Sequence, residues 1–274
     1  MVIEGIFSPT HARGHPWELF FIGLVYSVIA VVMSLWVFRG HASIVMVAFT
    51  VIAALPFVHK MISTEGEYDL IHNSERTLMQ EHSKAISMFV FLFIGMVAGY
   101  SLLYLMLPDA VVIDVFEVQH GAINTDIAAT GNFIEPTTAL SQILANNLIV
   151  LLLSVVFSFL YGAGALFIIT WNASVMATVI GYFIKTNIVA DGSSYLVVTT
   201  QGLVRYMLHG IPEIAAFMLA GLASGIVSFA LLKHDWDSPN FKLVLKDASF
   251  LFLLSLVFVL MAGMIEVYIT PVFY

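Results

Sequence analysis

No cysteine occurs in the 274 residues of this chain. Disulfides, thiol nucleophiles and thiolate metal sites are therefore excluded. Charge is almost as scarce. Only 10% of residues are Asp, Glu, Lys or Arg, against roughly a quarter in a soluble domain. A chain so poor in charge does not cover a water-facing surface. It has no basic stripe, so nucleic acid is not an expected partner. No HExxH, GxSxG, Walker or GxGxxG pattern appears, and no catalytic residue, cofactor or metal is assigned. His11 and His15 are four apart, but Gly14 and Pro16 interrupt the helix that would align them and a third ligand is lacking. The first apolar run has no small-residue cleavage pattern behind it and is read as a retained span, not a cleaved signal.

What the chain does have is apolar length. Hydrophobic residues make up 60% of it. Runs long enough for a ~30 Å hydrocarbon core, at ~1.5 Å per helical residue, recur throughout. The expected fold is all-α: a polytopic transmembrane helical bundle of about seven spans, six to seven, forming one integral membrane domain over residues 1–274. The short alternating strands of a barrel do not recur. The spans are read at Leu19–Phe38, Ala42–Val58, Ala85–Leu107, Ile143–Trp171, Ala173–Ala190, Ile211–Leu232 and Ala248–Thr270. Trp17 and Trp36 anchor the first at the interfaces. A tight turn at Arg39-Gly40-His41 joins the first two into an N-terminal hairpin, residues 19–58.

Residues 59–84 read as a cytoplasmic amphipathic connection. Ser74 is its helix cap, and Leu78, Met79, His82 and Ile86 share one side before the helix runs into the third span. The family of spans from 85 to 274 encloses a loop, residues 108–142, with five acids and no Lys or Arg. Asp114, Glu117, His120, Asp126 and Glu135 within it suit a solvated loop better than a cation site. The fourth run is longer than a bilayer core requires, so it tilts or begins outside the membrane. Ala173–Ala190 is marginal, interrupted by Gly181 and Lys185. Together with Tyr195–His209 it forms a broken or re-entrant stretch before the sixth span.

The basic residues orient the chain. With the N-terminus cytoplasmic, Arg13, Lys60, Arg76, Lys84, Lys233, Lys242 and Lys246 lie inside, and only Arg39, Lys185 and Arg205 lie outside. The expected location is the cell membrane, multi-pass, with the C-terminus outside. This orientation places Asn146, Asn147, Lys185, Arg205, His209, Glu213 and Glu266 at similar depth near the outer face. Charges there are costly unless paired or near water, and the simplest arrangement pairs Lys185 or Arg205 with Glu213 or Glu266.

In "HGIPE", Pro212 suits the first position of the sixth helix, Glu213 its first turn and Gly210 a backbone turn. A purely structural role for His209 and Glu213 stands beside a functional one. Small residues mark helix contacts: Gly95 and Gly99 in the third span, Gly221 and Gly225 in the sixth, and Ser154, Ser158 and Gly162 along the fourth. They pack the protein's own bundle and, secondarily, a second copy in a homo-oligomer.

"HGIPEIAAFMLAGLASG", the "ANN" of an earlier span and "WNASVMATVIG" together resemble the stage II sporulation protein M family. "HPWELFFIGLVYSVIAVVMSLWVF" resembles its archaeal branch, which adds a helical hairpin before the shared core. The resemblance covers essentially the whole chain. It implies that Asn146 or Asn147, Asn172, Gly181, His209, Gly210, Glu213, Gly221 and Gly225 are the family's recurring residues, with Ala173 replacing the usual glycine after Asn172. Family members in sporulating bacteria act as membrane scaffolds that hold cell-wall hydrolases during engulfment. The resemblance thus implies a non-enzymatic scaffold in the lipid bilayer, with other membrane or cell-surface proteins as partners. Two alternatives remain open on the residues alone. One is a transporter or permease component using broken helices over 173–210. The other is an intramembrane hydrolase with His209 and Glu213 as an acid–base pair.

Overall fold

A computed structural model describes residues 9–71, 75–130, 135–158, 163–191, 195–233 and 237–273, and every regular element among them is helical. A short helix α1 (Pro9–Gly14) precedes α2 (Glu18–Val37), and one 3-10 turn at Arg39–His41 reverses the chain into α3 (Ala42–Ile71). α4 (Glu75–Met106) returns and is followed by two short helices, α5 (Asp109–Val115) and α6 (Glu117–Thr130). Then come α7 (Pro136–Ser158), α8 (Ala163–Asp191), α9 (Tyr195–Lys233) and α10 (Pro239–Met264). A π-helical turn at Ile265–Ile269 and a 3-10 turn at Thr270–Phe273 complete the described chain. Among the described residues, seven helices are long and apolar enough to cross a membrane: α2, α3, α4, α7, α8, α9 and α10. The all-α bundle of about seven spans is the architecture found. Ser74 lies outside the described residues, as does Gly162.

Two boundaries differ from the sequence reading. The apolar run 143–171 is not one tilted span. α7 is described to Ser158 and α8 from Ala163, so the last part of the run, Ala163–Trp171, belongs to the next helix. Hydropathy did not see the break because both flanks are apolar. Ala173–Ala190 is accordingly no marginal or re-entrant piece but the greater part of a continuous 29-residue helix. Asn172, expected beside a turn, lies inside that helix and donates from Nδ2 to the Ile168 carbonyl at 2.8 Å. An asparagine that bonds back four residues satisfies its own amide without ending the helix.

The stretch before the sixth span is likewise unbroken. α9 runs 39 residues from Tyr195 to Lys233 with Pro212 inside it rather than at its start. Proline removes one intrahelical bond, a loss that membrane helices tolerate where packing holds both sides. At ~1.5 Å per residue α9 is about 58 Å long. Its apolar part, Leu208–Leu232, is the candidate span, and the first turns lie beyond it.

α9 is the central helix: 78% of its span is buried, against 17% for α7. It packs on α10, α8, α7, α3 and α4. Ala216, Ala220, Gly221, Ala223, Ser224 and Gly225 are buried along it, and side chains this small let several neighbours approach at once. On the other side of the bundle α4 is sandwiched between α2 and α8. Thr50 of α3 and Tyr100 of α4, both fully buried, share a 2.7 Å hydrogen bond. Large side chains such as Phe21, Ile29, Leu152, Leu253 and Val257 face outward, as helices in contact with lipid require.

The acidic loop is not simply solvated. α5 and α6 dock on α3, α8 and the Arg39–His41 turn. Val112, Val115, Phe116 and Gln119 are buried there. Gln119 donates from Nε2 to the Ser43 carbonyl at 3.1 Å and to Ser174 Oγ at 3.2 Å, tying the α5–α6 pair to two spans. The sequence signal for this was a helix-period apolar set, Val112, Val115 and Phe116, hidden among acids, with Gln119 next on the same face.

Candidate functional site

Lys185, near the end of α8, is drawn to the docked α5–α6 pair. Its ammonium donates to the Asp109 carboxylate at 2.8 Å and to the Leu107 carbonyl at 3.2 Å. Leu107 directly follows the last turn of α4, so Lys185 places positive charge where that helix presents unsatisfied carbonyls. The same ammonium stands 5.5 Å from the centre of the Tyr104 ring. Lys185 therefore pairs with Asp109, not with Glu213 or Glu266 as the topology alone suggested. The reason is that Asp109 opens a helix that folds back onto the bundle, an arrangement hydropathy does not encode.

Tyr104 extends this cluster. Its hydroxyl is 3.1 Å from His120 Nε2, and His120 also meets the Tyr182 ring edge-on at 6.1 Å between centroids. Gly181 has a packing reason to be glycine: a Cβ there would run into the Tyr104 ring. The outer edge of the α5–α6 pair is held more loosely, by Arg39 and Asp114 at 3.6 Å with both side chains well exposed. Such an ion pair contributes about 0–1 kcal/mol. Among the described residues no three His, Asp or Glu side chains converge as a metal site would need.

Burial lowers the pKa of His120 below the ordinary histidine value, so the neutral ring is the form that fits the docked α5–α6 pair. A base whose folded pKa is depressed binds protons more readily when unfolded, and stability then rises with pH. The pair's hold is fully present above pH ~6.5 and is lost as the pH falls below it. Amide exchange of residues 117–123 in nanodiscs is expected to quicken between pH 7.5 and 5 relative to that of α9. A His120→Gln variant is expected to remove that pH dependence.

The second group lies at the same end of the helices. His209 and Glu213 are four apart on the uninterrupted α9 and so share a face. This replaces the expectation that a turn separates them. Among the described residues the hydrogen-bond partner of His209 is Thr270, with Nδ1 and Oγ1 3.5 Å apart. The Thr270 hydroxyl also donates to the Ile265 carbonyl at 3.1 Å. Having one hydrogen to give, it then accepts from His209 Nδ1–H. Glu213 and Glu266 are both half-buried. The π-helical turn that carries Glu266 packs on α9 and α7, so the segments bearing His209, Glu213 and Glu266 do meet. Gly210 faces Met176, whose Cε would stand 2.9 Å from an added Cβ. The Arg205 side chain lies outside the described residues.

The remaining expected residues divide by environment. Asn147 is buried and Asn146 exposed on α7. Ser154 is buried on the same face as Asn147, and the Ser158 side chain lies outside the described residues. Gly95 and Gly99 meet the backbone of α2, whereas Gly225 meets only the Ile62 side chain, at 3.0 Å from an added Cβ. Gly221 is buried in the centre. The sequence reading missed Gly23, which completes the α2–α4 crossing. It also missed Arg13 and Glu65, an ion pair at the other end of the bundle with side chains 7% and 0% exposed.

The chain has no match among curated proteins or solved structures. It does match the family described as stage II sporulation protein M, over residues 19–271. That stretch takes in both helices of the N-terminal hairpin, the docked α5–α6 pair and the His209–Thr270 contact. With every candidate span but the first residue of the first, Glu18, inside the match, this multi-pass membrane protein belongs to the stage II sporulation protein M family.

Proposed function

We propose that this protein is a non-enzymatic membrane scaffold whose working surface is the docked α5–α6 pair. One observation carries the reading: the polar side chains near the α5–α6 end are used to hold the fold together. Lys185 closes on Asp109 and Leu107, Asn172 on Ile168, His120 on Tyr104, and His209 on Thr270. A helix pair fixed in this way is a platform. It presents Ile113, 62% exposed, and Val118 beside Asp114 and Glu117. An apolar pair rimmed by acids suits a partner face with apolar and basic residues.

The basic-residue count, with the N-terminus cytoplasmic, puts this platform outside the cell, where a surface or membrane protein would meet it. The resemblance of residues 15–38 to the archaeal branch fits a member of that type. The transporter alternative rested on broken helices over 173–210. With α8 and α9 continuous, that support is gone.

Affinity purification from native membranes tests the reading. The wild-type chain is expected to bring down a surface or membrane protein that an Ile113→Asp, Val118→Asp variant, equally folded and abundant, does not. Recovery of this chain alone, or of the same partner with both forms, defeats the proposal.

A further inference from the structure

α7 is the least buried of the seven candidate spans, and it carries a polar side chain where a lipid-facing helix has no evident use for one. Asn146 is exposed and is the eleventh residue of a span running from Pro136 to Phe157, close to its middle. It makes no hydrogen bond among the described residues. Other exposed polar side chains of the bundle solve the same problem locally. Ser141, Thr186 and Ser249 each return their hydroxyl to a carbonyl three or four residues back. Asn172, half-buried, does so with its amide. Asn146 is exposed and shows no such bond among the described residues. An amide without partners in hydrocarbon is costly, and a helix from another chain relieves that cost by bonding to it.

The residues around it say which helix. Gln142, Asn146, Ile149, Leu153 and Val156 are spaced 4, 3, 4 and 3 apart, and all are exposed on α7. This is the 3.5-residue seam of a parallel two-helix contact, with Asn146 and Leu153 at a positions and Ile149 and Val156 at d positions. A single asparagine at an a position fixes register and a two-helix state, because its amide both donates and accepts across the axis. Copies of one membrane protein share one orientation, so a two-fold axis along the membrane normal sets α7 parallel to its counterpart.

We propose that α7 is a self-association surface. Two copies of this chain pair through the Gln142–Val156 seam, and Asn146 bonds to Asn146 across the two-fold axis. The proposal is independent of whether the α5–α6 pair carries a partner.

The absence of native cysteine makes the test direct. Ile149→Cys and Leu148→Cys each introduce the sole thiol. Both sites are exposed, but they lie about 100° apart around the helix. On oxidation in native membranes, Ile149→Cys is expected to give a disulfide-linked homodimer at least about tenfold faster than Leu148→Cys. Adding Asn146→Leu to Ile149→Cys is expected to lower that yield about tenfold, the equivalent of one interhelical hydrogen bond. If Asn146→Leu disturbs folding, the contrast between positions 148 and 149 with Asn146 intact decides alone. Equal cross-linking at the two positions, no homodimer from Ile149→Cys, an adduct with a different protein in its place, or a folded Asn146→Leu chain that dimerises as before would each overturn the proposal.

Discussion

Replacing Glu65 by alanine is expected to cost about 3–5 kcal/mol of stability, because it takes a buried carboxylate away from the Arg13 guanidinium that it meets. Arg13 belongs to α1 and Glu65 to α3, and their side chains are 7% and 0% exposed. Arg13→Ala is expected to cost a similar amount for the converse reason. Removing both charges together, as Arg13→Met with Glu65→Leu, is expected to recover most of the loss, since two apolar side chains of similar volume incur no desolvation cost. The check is a double-mutant cycle on thermal unfolding in nanodiscs. Each single variant should melt about 10 °C lower, and the double variant much closer to wild type. Additive losses would mean that the two charges act separately. Since α1 packs only on α3 and α4 among the principal contacts, the single variants should also release α1 to proteolysis.

The second large effect is expected at the crossing of α2 and α4. A Cβ at Gly95 would lie against the Phe20 carbonyl, and one at Gly23 against the Leu92 carbonyl, with the Met96 amide nitrogen 2.9 Å away. At Gly99 it would meet Ser27 Oγ, with the Leu24 carbonyl 2.8 Å away. At Gly23 and Gly95 the obstacle is the backbone of the opposite helix, which no rotamer change relieves. Alanine in a helix gains about 1 kcal/mol of propensity over glycine, but here the two axes must separate. A net loss of about 1–3 kcal/mol is expected for Gly95→Ala or Gly23→Ala, and loss of the folded bundle for Gly95→Leu. Gly225→Ala is the internal comparison. It meets the Ile62 side chain, with Cδ1 and Cγ2 each 3.0 Å from the added Cβ, and not a backbone, so a smaller loss than at Gly95 is expected. Melting temperatures in nanodiscs should be highest for Gly225→Ala, lower for Gly95→Ala and Gly23→Ala and lowest for Gly95→Leu, and an equal effect at Gly95 and Gly225 would contradict the backbone contact.

These two regions show how legibility depends on range. Gly95 and Gly99 were readable because GxxxG is a local pattern, with both glycines on one helix face. Gly23 belongs to the same crossing, and its partner at that spacing is Ser27, a small residue but not a glycine, so the GxxxG pattern did not mark it. Arg13 and Glu65 are 52 residues apart and looked like ordinary interfacial charges. The candidate site divides in the same way. His209 and Glu213 stood out as ionisable groups beside an apolar helix, and their shared face follows from the continuity of α9. The partner of Lys185 did not follow, because Asp109 reaches it only after α5 folds back over the bundle.

The sequence by itself determined the class, the number of candidate spans, the turn at Arg39–His41 and the family. All four rest on sums or patterns over neighbouring residues, such as mean hydropathy, a glycine spacing or the "HGIPE" string. Tertiary structure decided where α7 gives way to α8 and that Pro212 sits inside a helix. It also decided that an acidic loop is a docked helix pair and which charges meet. In an apolar chain the local free energies of helix and turn differ little at such points, so packing between distant segments settles them. A buried ion, likewise, is stable only where the fold brings its counter-ion.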